Sequence, residues 1–314
     1  MKKLTLLLLA LLYVTLTYAY TERDLLQKQA DINRLKEILV LDRQWVTYPD
    51  YNDRAGWDRF LGTFKDEYIR RGEKRLNYQW QVVKATDYLA FERTGNRQIM
   101  EKPFGANNGA IADLLMAELA EGKGRFVDQL INGVFNACEM TSWALAAHII
   151  VQPSHRALPA YDYPVIDLTS GDLGGLLAWT YHFMRPSFDK VDPEISRRLR
   201  HELQTRILDP YMNNDSFWWM GRNYNGRMLN NWNPWCNSNA LMCFMLLEDN
   251  RDTLAKAVHL TMESVDKFLN YIKADGACEE GPSYWGHAAG KTLDYLELLS
   301  DITGDKVNIF NEPM

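Results

Sequence analysis

Apolar residues recur at helical spacing almost from end to end of this chain, and strict apolar–polar alternation is nearly absent. Residues 53–71 place Trp57, Phe60, Leu61, Phe64 and Tyr68 at i, i+3, i+4, i+7 and i+11, one stripe along a helix. Residues 22–43 carry Leu25, Leu26, Ile32, Leu35, Ile38 and Leu39 in the same manner. Further helices are expected over 79–93, closing at Gly95, over 109–121, closing at Gly122, and over 125–150, ended by Pro153. Another covers 171–184. Asp192 as N-cap and Pro193 at the first helical position open the next. Residues 236–248, 252–274 and 283–302 complete the series. Mostly short loops predict that successive helices run antiparallel. A solenoid would show self-similar repeats of fixed period, and none is present. The pattern therefore predicts an all-α fold, an α/α toroid of about ten antiparallel helices. Its long loops would line one mouth.

The first residues have a different character. Lys2 and Lys3 precede the apolar stretch Leu4 to Leu16, and Thr17 and Ala19 are small residues before Tyr20. This is the pattern of an export signal cleaved after Ala19. The apolar run is short for a membrane span of ~20 residues. The expected division is a signal peptide over 1–19 and a helical domain over 20–314. The short, Lys-led signal points to a bacterial periplasmic or extracellular protein, with no membrane span in the mature chain. Without the signal the chain carries 33 basic against 41 acidic residues, a net charge of −8. Such a balance disfavours nucleic acid as a partner, since phosphate contacts need clustered Lys and Arg. Cys138, Cys236, Cys243 and Cys278 form no CxxC metal pattern, and they read as buried thiols rather than a disulfide framework. Nothing in the sequence bears on oligomeric state.

The 10 Trp, 16 Tyr and 12 Phe residues are unevenly placed. Across most of the chain they read as core. Residues 213–237 differ: they hold Trp218, Trp219, Trp232 and Trp235 with Tyr224, Arg222, Arg227, Asn230, Asn231 and Asn233. Trp rings suit the flat faces of sugars, Asn offers both donor and acceptor, and Arg grips carboxylate or sulfate by paired bonds. The plain alternative is an aromatic-packed loop whose amides satisfy its own turns. Residues 275–291 place Tyr284 in the first turn of a helix begun at Gly281-Pro282, with His287 at i+3 and Lys291 at i+7. Glu279 and Glu280 precede it. A third segment, residues 136–148, puts Glu139 and Trp143 on one helical face, with His148 beyond; a lone Glu and His there are also ordinary core residues.

Taken in order, CEMTSWALAAH (138–148), NNWNPWCN (230–237) and DGACEEGPSYWG (275–286) resemble the helical domain of the heparinase II/III-like polysaccharide lyases. The resemblance spans most of residues 125–303. It implies an incomplete α/α toroid followed by a β-sandwich, and eliminative cleavage of acidic, uronic-acid-containing polysaccharides such as heparin, heparan sulfate or alginate. Tyr284 matches the proton-transfer Tyr of the family's EGPxY motif. Asn231 matches the Asn that faces the uronate carboxylate. Where several members follow that Asn with a His, this chain has Trp232. The family's C-terminal β-sandwich is lacking, so the chain reads as a fragment of a longer lyase. Elimination removes the C5 proton of a uronate and expels the C4 oxygen, so the site must neutralise the carboxylate while a base and an acid act. Asn231, with Arg222 or protonated Glu139, serves the first need and Tyr284 the second. Trp232, Trp235 and His287 complete the expected substrate contacts. The scheme uses no metal and no cofactor. A toroid glycoside hydrolase with paired carboxylates, drawn from Glu139, Asp275, Glu279 and Glu280, and a glycan-binding protein without activity are the alternatives.

Overall fold

The segment Trp232–Leu247 is helical and has no polar face: Cys236, Ala240, Leu241, Cys243, Phe244 and Met245 are all buried. A helix of that kind must be enclosed by others. The computed structural model describes residues 22–223, 228–272, 276, 278 and 280–312. Among these, every regular element is a helix and there is no strand. In chain order they are α1 (Ile32–Ile38), α2 (Arg54–Leu61), α3 (Lys65–Glu73), α4 (Ala85–Thr94), α5 (Gln98–Glu121) and α6 (Val127–Glu139). The second half comprises α7 (Leu168–Val191), α8 (Pro193–Leu203), α9 (Asp209–Asn213), α10 (Trp232–Leu247), α11 (Arg251–Leu269) and α12 (Trp285–Thr303).

Helix α10 packs against α7, α11 and α12, and α5 holds α2, α3, α4 and α6. A single hydrophobic cluster runs through both halves. Cutting Leu241, which is wholly buried, to Ala would cost about 2–5 kcal/mol. Trp235 in the first turn of α10 meets Asp172 near the start of α7 and His287 near the start of α12. Further along, Trp179, Met242 and Asp301 of the same three helices line one cavity. Thus α7, α10 and α12 start at the same end of the fold.

Local capping works as the sequence predicts. Asp192 accepts the Glu194 N–H in front of Pro193, and Gly95 and Gly122 close α4 and α5 in the left-handed conformation. The expectation fails where a distant side chain claims a backbone group. Residues 22–43 form only the short α1, because the buried Asp266 carboxylate accepts the N–H groups of Leu26 and Gln27. Residues 79–84 are extended, since Asn107 bonds both the N–H and the carbonyl of Gln81. The expected helix over 125–150 stops at Glu139, because Asp167 takes the Leu145 N–H and the Trp143 indole takes the Ala137 carbonyl. Residues 53–71 break at Gly62, whose φ is +51°, leaving Phe60 and Phe64 exposed instead of on a buried stripe. Conversely, α5, α7 and α10 begin earlier than periodicity predicts, at Gln98, Leu168 and Trp232.

The expected signal, residues 1–19, lies outside the described residues. Among the described helices, none is long and apolar enough to cross a membrane. All four cysteines are free thiols, with Cys138, Cys236 and Cys243 buried. No group of His, Cys, Asp and Glu among the described residues is arranged to hold a metal ion.

Candidate active site at three helix starts

The start of α10 is built by division of labour among asparagines. Asn230 Oδ1 accepts the Trp232 N–H at 3.1 Å, so Asn230 caps the helix. Asn233 Nδ2 donates to the carbonyls of Trp219 and Ser264, and Asn237 Nδ2 donates to the Ser264 hydroxyl oxygen. Those two residues, like Trp219 with its indole N–H on the Ile166 carbonyl, are internal fastenings. For them the plain structural reading of the loop holds. Asn231 does neither job. It is 2 % exposed, caps nothing, and its Oδ1 is buried with no hydrogen-bond partner among the described residues. An orphaned buried acceptor is uncommon, because it carries a desolvation cost of about 1–3 kcal/mol.

The second loop arrives at the same place. Glu280 Oε2 accepts the Asn231 backbone N–H at 2.9 Å. Gly281 follows with a φ of +75°, a turn that only glycine makes without strain, and Pro282–Tyr284 form a single 3-10 turn leading into α12. Tyr284 is 46 % exposed, and its ring centroid lies 5.6 Å from that of His287. His287 stacks on Trp235 at 5.0 Å and 15°. Trp235 in turn donates its indole N–H to Asp172 Oδ1 at 2.7 Å, and Lys291 Nζ lies 5.4 Å from the Trp235 ring centroid. Tyr284, His287 and Trp235 therefore form one continuous group, and Glu280 ties their loop to the Asn231 backbone. His287 covers one face of Trp235, so that ring is not an open sugar platform on that side. Surrounding protein pushes the Asp172 carboxyl upward, opposed by hydrogen bonds from Trp235 and Asn239.

Trp232, one turn before Trp235, faces a histidine from elsewhere. Its ring lies 4.6 Å from that of His148 in an edge-on arrangement and 5.4 Å from that of Trp218. His148 Nδ1 is 2.7 Å from Asp167 Oδ2, and Nε2 is 3.3 Å from Arg97 Nη2. Arginine only donates and a carboxylate only accepts, so this network assigns the proton to Nδ1 and a lone pair to Nε2. Asp167 is fully buried and caps α7 through the Ser170 N–H. The chain thus supplies a carboxylate-oriented imidazole beside Trp232. The D-x-x-S capping pattern at Asp167–Ser170 was readable in the sequence; its pairing with His148 was not.

Two expected residues are engaged elsewhere. Arg222 Nη1 pairs with Asp215 at 2.9 Å, and its guanidinium lies over the Tyr211 ring. Glu139, at the end of α6, pairs with Arg198 of α8 at 3.3 Å. Glu139 has no described contact with the joined loops, whereas Arg222 stands within the first of them, its Nε and Nη2 buried without a hydrogen-bond partner among the described residues. Tyr224, Arg227, Asp275 and Glu279 lie outside the described residues. A neighbouring cavity of about 480 Å³ is walled mainly by apolar side chains, among them Phe268, Ile272, Trp285, Leu293 and Phe310, with Glu312 at its edge. No family model matches the chain, and no curated protein matches it in sequence.

Proposed function

We propose that this chain is the helical domain of a polysaccharide lyase that cleaves uronic-acid-containing glycans by β-elimination, built on an incomplete α/α toroid. The Glu280–Asn231 hydrogen bond carries the reading, because it ties the turn that presents Tyr284 to an asparagine whose side-chain oxygen has no hydrogen-bond partner among the described residues. The shared starting end of α7, α10 and α12 supports the toroid. The order of the three family-like segments supports the activity.

In this reading Asn231 Nδ2 donates to the uronate carboxylate, spreading the charge that develops as the C5 proton leaves. Its orphaned Oδ1 is matched by a substrate hydroxyl. As a phenolate Tyr284 takes the C5 proton, and the phenol so formed gives that proton to the departing C4 oxygen, which restores the phenolate; one residue can do both when both atoms lie on one face. His148, with its proton held on Nδ1 by Asp167, offers Nε2 as a second base beside Trp232, the position where several lyases of the family carry histidine. Arg97 brings positive charge to the same edge. A hydrolase needs two carboxylates free to work on substrate. Here Glu280 is committed to the Asn231 N–H, and Asp172 to Trp235 and Asn239.

The test follows the ultraviolet absorbance of the C4–C5 unsaturated product over a panel of uronate polymers, wild type against Tyr284→Phe. The substitution keeps the ring and removes the proton carrier. Turnover is expected to fall ~100-fold or more while the melting temperature holds. Undiminished turnover in the Phe variant would remove Tyr284 from the mechanism, and no product from any polymer would favour binding without catalysis.

A further inference from the structure

Beside the joined loops, α7, α10, α12 and the strap at residues 45–48 enclose a pocket of about 280 Å³. That is just below the ~300–1,000 Å³ of sites for drug-sized ligands, and suits a single sugar ring. One wall is aromatic. Tyr48, 43 % exposed, and Trp45 both meet Trp179 edge-on, with centroids at 5.4 and 5.8 Å. Trp45 is 8 % exposed, and its indole N–H is buried without an acceptor among the described residues. The opposite wall, on α12, presents Asp294, Glu297 and Asp301 at successive turns. Among the described residues Lys291 is the only cation lining the pocket, and it is paired with Asp294 at 3.1 Å. Burial, with the neighbouring Asp305 and Glu297 carboxylates, pushes the Asp301 carboxyl upward. Asn239 and Lys291 belong both to this pocket and to the Trp235–Asp172 group, so the two sites share a wall.

We infer that this pocket is a sugar subsite selecting a hexosamine unit with a free, protonated amine, next to the unit held at Asn231 and Tyr284. The aromatic wall receives the ring face. The carboxylates of Glu297 and Asp301 receive the ammonium group, and they repel an N-sulfated unit. That the neighbouring unit is a uronate rests on the lyase reading; the amine selection does not.

The experiment therefore has two arms. In the first, β-1,4-linked glucosamine oligosaccharides, which contain no uronate, are titrated by calorimetry against their N-acetylated counterparts. The wild type is expected to bind the free amine about tenfold more tightly, and the exposed double variant Glu297→Gln/Asp301→Asn to lose that difference while keeping the N-acetyl affinity. Equal affinities in the wild type, or a preference that survives the double variant, would overturn the inference. In the second arm, heparosan is offered with its amines acetylated, freed or sulfated, and unsaturated product is followed. Faster cleavage of the freed polymer supports the subsite, and faster cleavage of the sulfated one overturns it even as the lyase reading stands. Amine selection in the first arm with no product in the second sustains the subsite and removes the lyase reading.

Discussion

Glu280 and Asn231 are separated by 49 residues and joined by one hydrogen bond of 2.9 Å from the Asn231 backbone N–H to the Glu280 carboxylate. The helical hairpin of α10 and α11 makes this possible by carrying the chain away and returning it to the same end. The bond does not use the Asn231 side chain, whose Oδ1 is buried without a hydrogen-bond partner among the described residues.

The junction gives the first prediction. Glu280→Ala leaves the Asn231 N–H without its acceptor, at a cost of about 1–3 kcal/mol, and kcat/KM should fall with it. Glu280→Gln keeps an acceptor oxygen and should retain most of both. Denaturant midpoints and initial rates on the same preparations check this. Equal losses in the two variants would show that the charge matters rather than the acceptor.

His148 and Asp167 should separate by readout. His148→Ala is expected to lower turnover by ~100-fold or more with little change in melting temperature, since Asp167 keeps its bonds from Leu145, Thr169 and Ser170. Asp167→Ala also removes the α7 cap and should destabilise by about 1 kcal/mol as well. A His148 variant with full activity would return that residue to a packing role beside Trp232.

The buried Asp266 carboxylate gives a pH dependence of stability. Burial raises its carboxyl above the usual range, although Leu26 and Gln27 donate to it. The native state then holds the proton more tightly than the unfolded chain. The stabilisation from that proton is complete below the unfolded value of ~3.9 and is lost as pH rises through the folded value. Relative to Asp266→Asn, which does not titrate, the wild type should gain stability as pH falls from neutrality toward about 4. Calorimetric melting of both proteins across that range is the check, and a difference that is flat with pH would contradict it.

Burial pushes the thiols of Cys138 and Cys243 up to about 12 and raises that of Cys236 as well. An alkylating reagent at mildly alkaline pH should therefore modify only Cys278, which is half-buried, in the folded protein. All four should react in denaturant. Mass spectrometry of the labelled peptides reads this directly, and rapid native labelling of Cys243 would mean that the α10 region opens.

Helix formation was legible wherever it depends on neighbours in sequence. Asp192-Pro193 and Gly281-Pro282 mark helix starts and Gly95 and Gly122 mark ends, because caps and breakers act within a few residues. The motif around Asn231 and Tyr284 was legible as unusual composition. The sequence could not divide its asparagines: Asn233 and Asn237 turn their amide N–H groups inward to Ser264, while the Asn231 side chain makes no described hydrogen bond. Nor could periodicity show that Asp266 and Asp167 would take backbone N–H groups from Leu26 and Leu145 and shorten two expected helices. Such competition is settled by which carboxylate is buried beside which amide, a property of packing. The meetings of His148 with Asp167, Trp235 with Asp172 and His287, and Glu280 with Asn231 all cross between elements. They arise because α7, α10 and α12 start at one end of the fold, and helical periodicity sets the face of a residue without setting its partner.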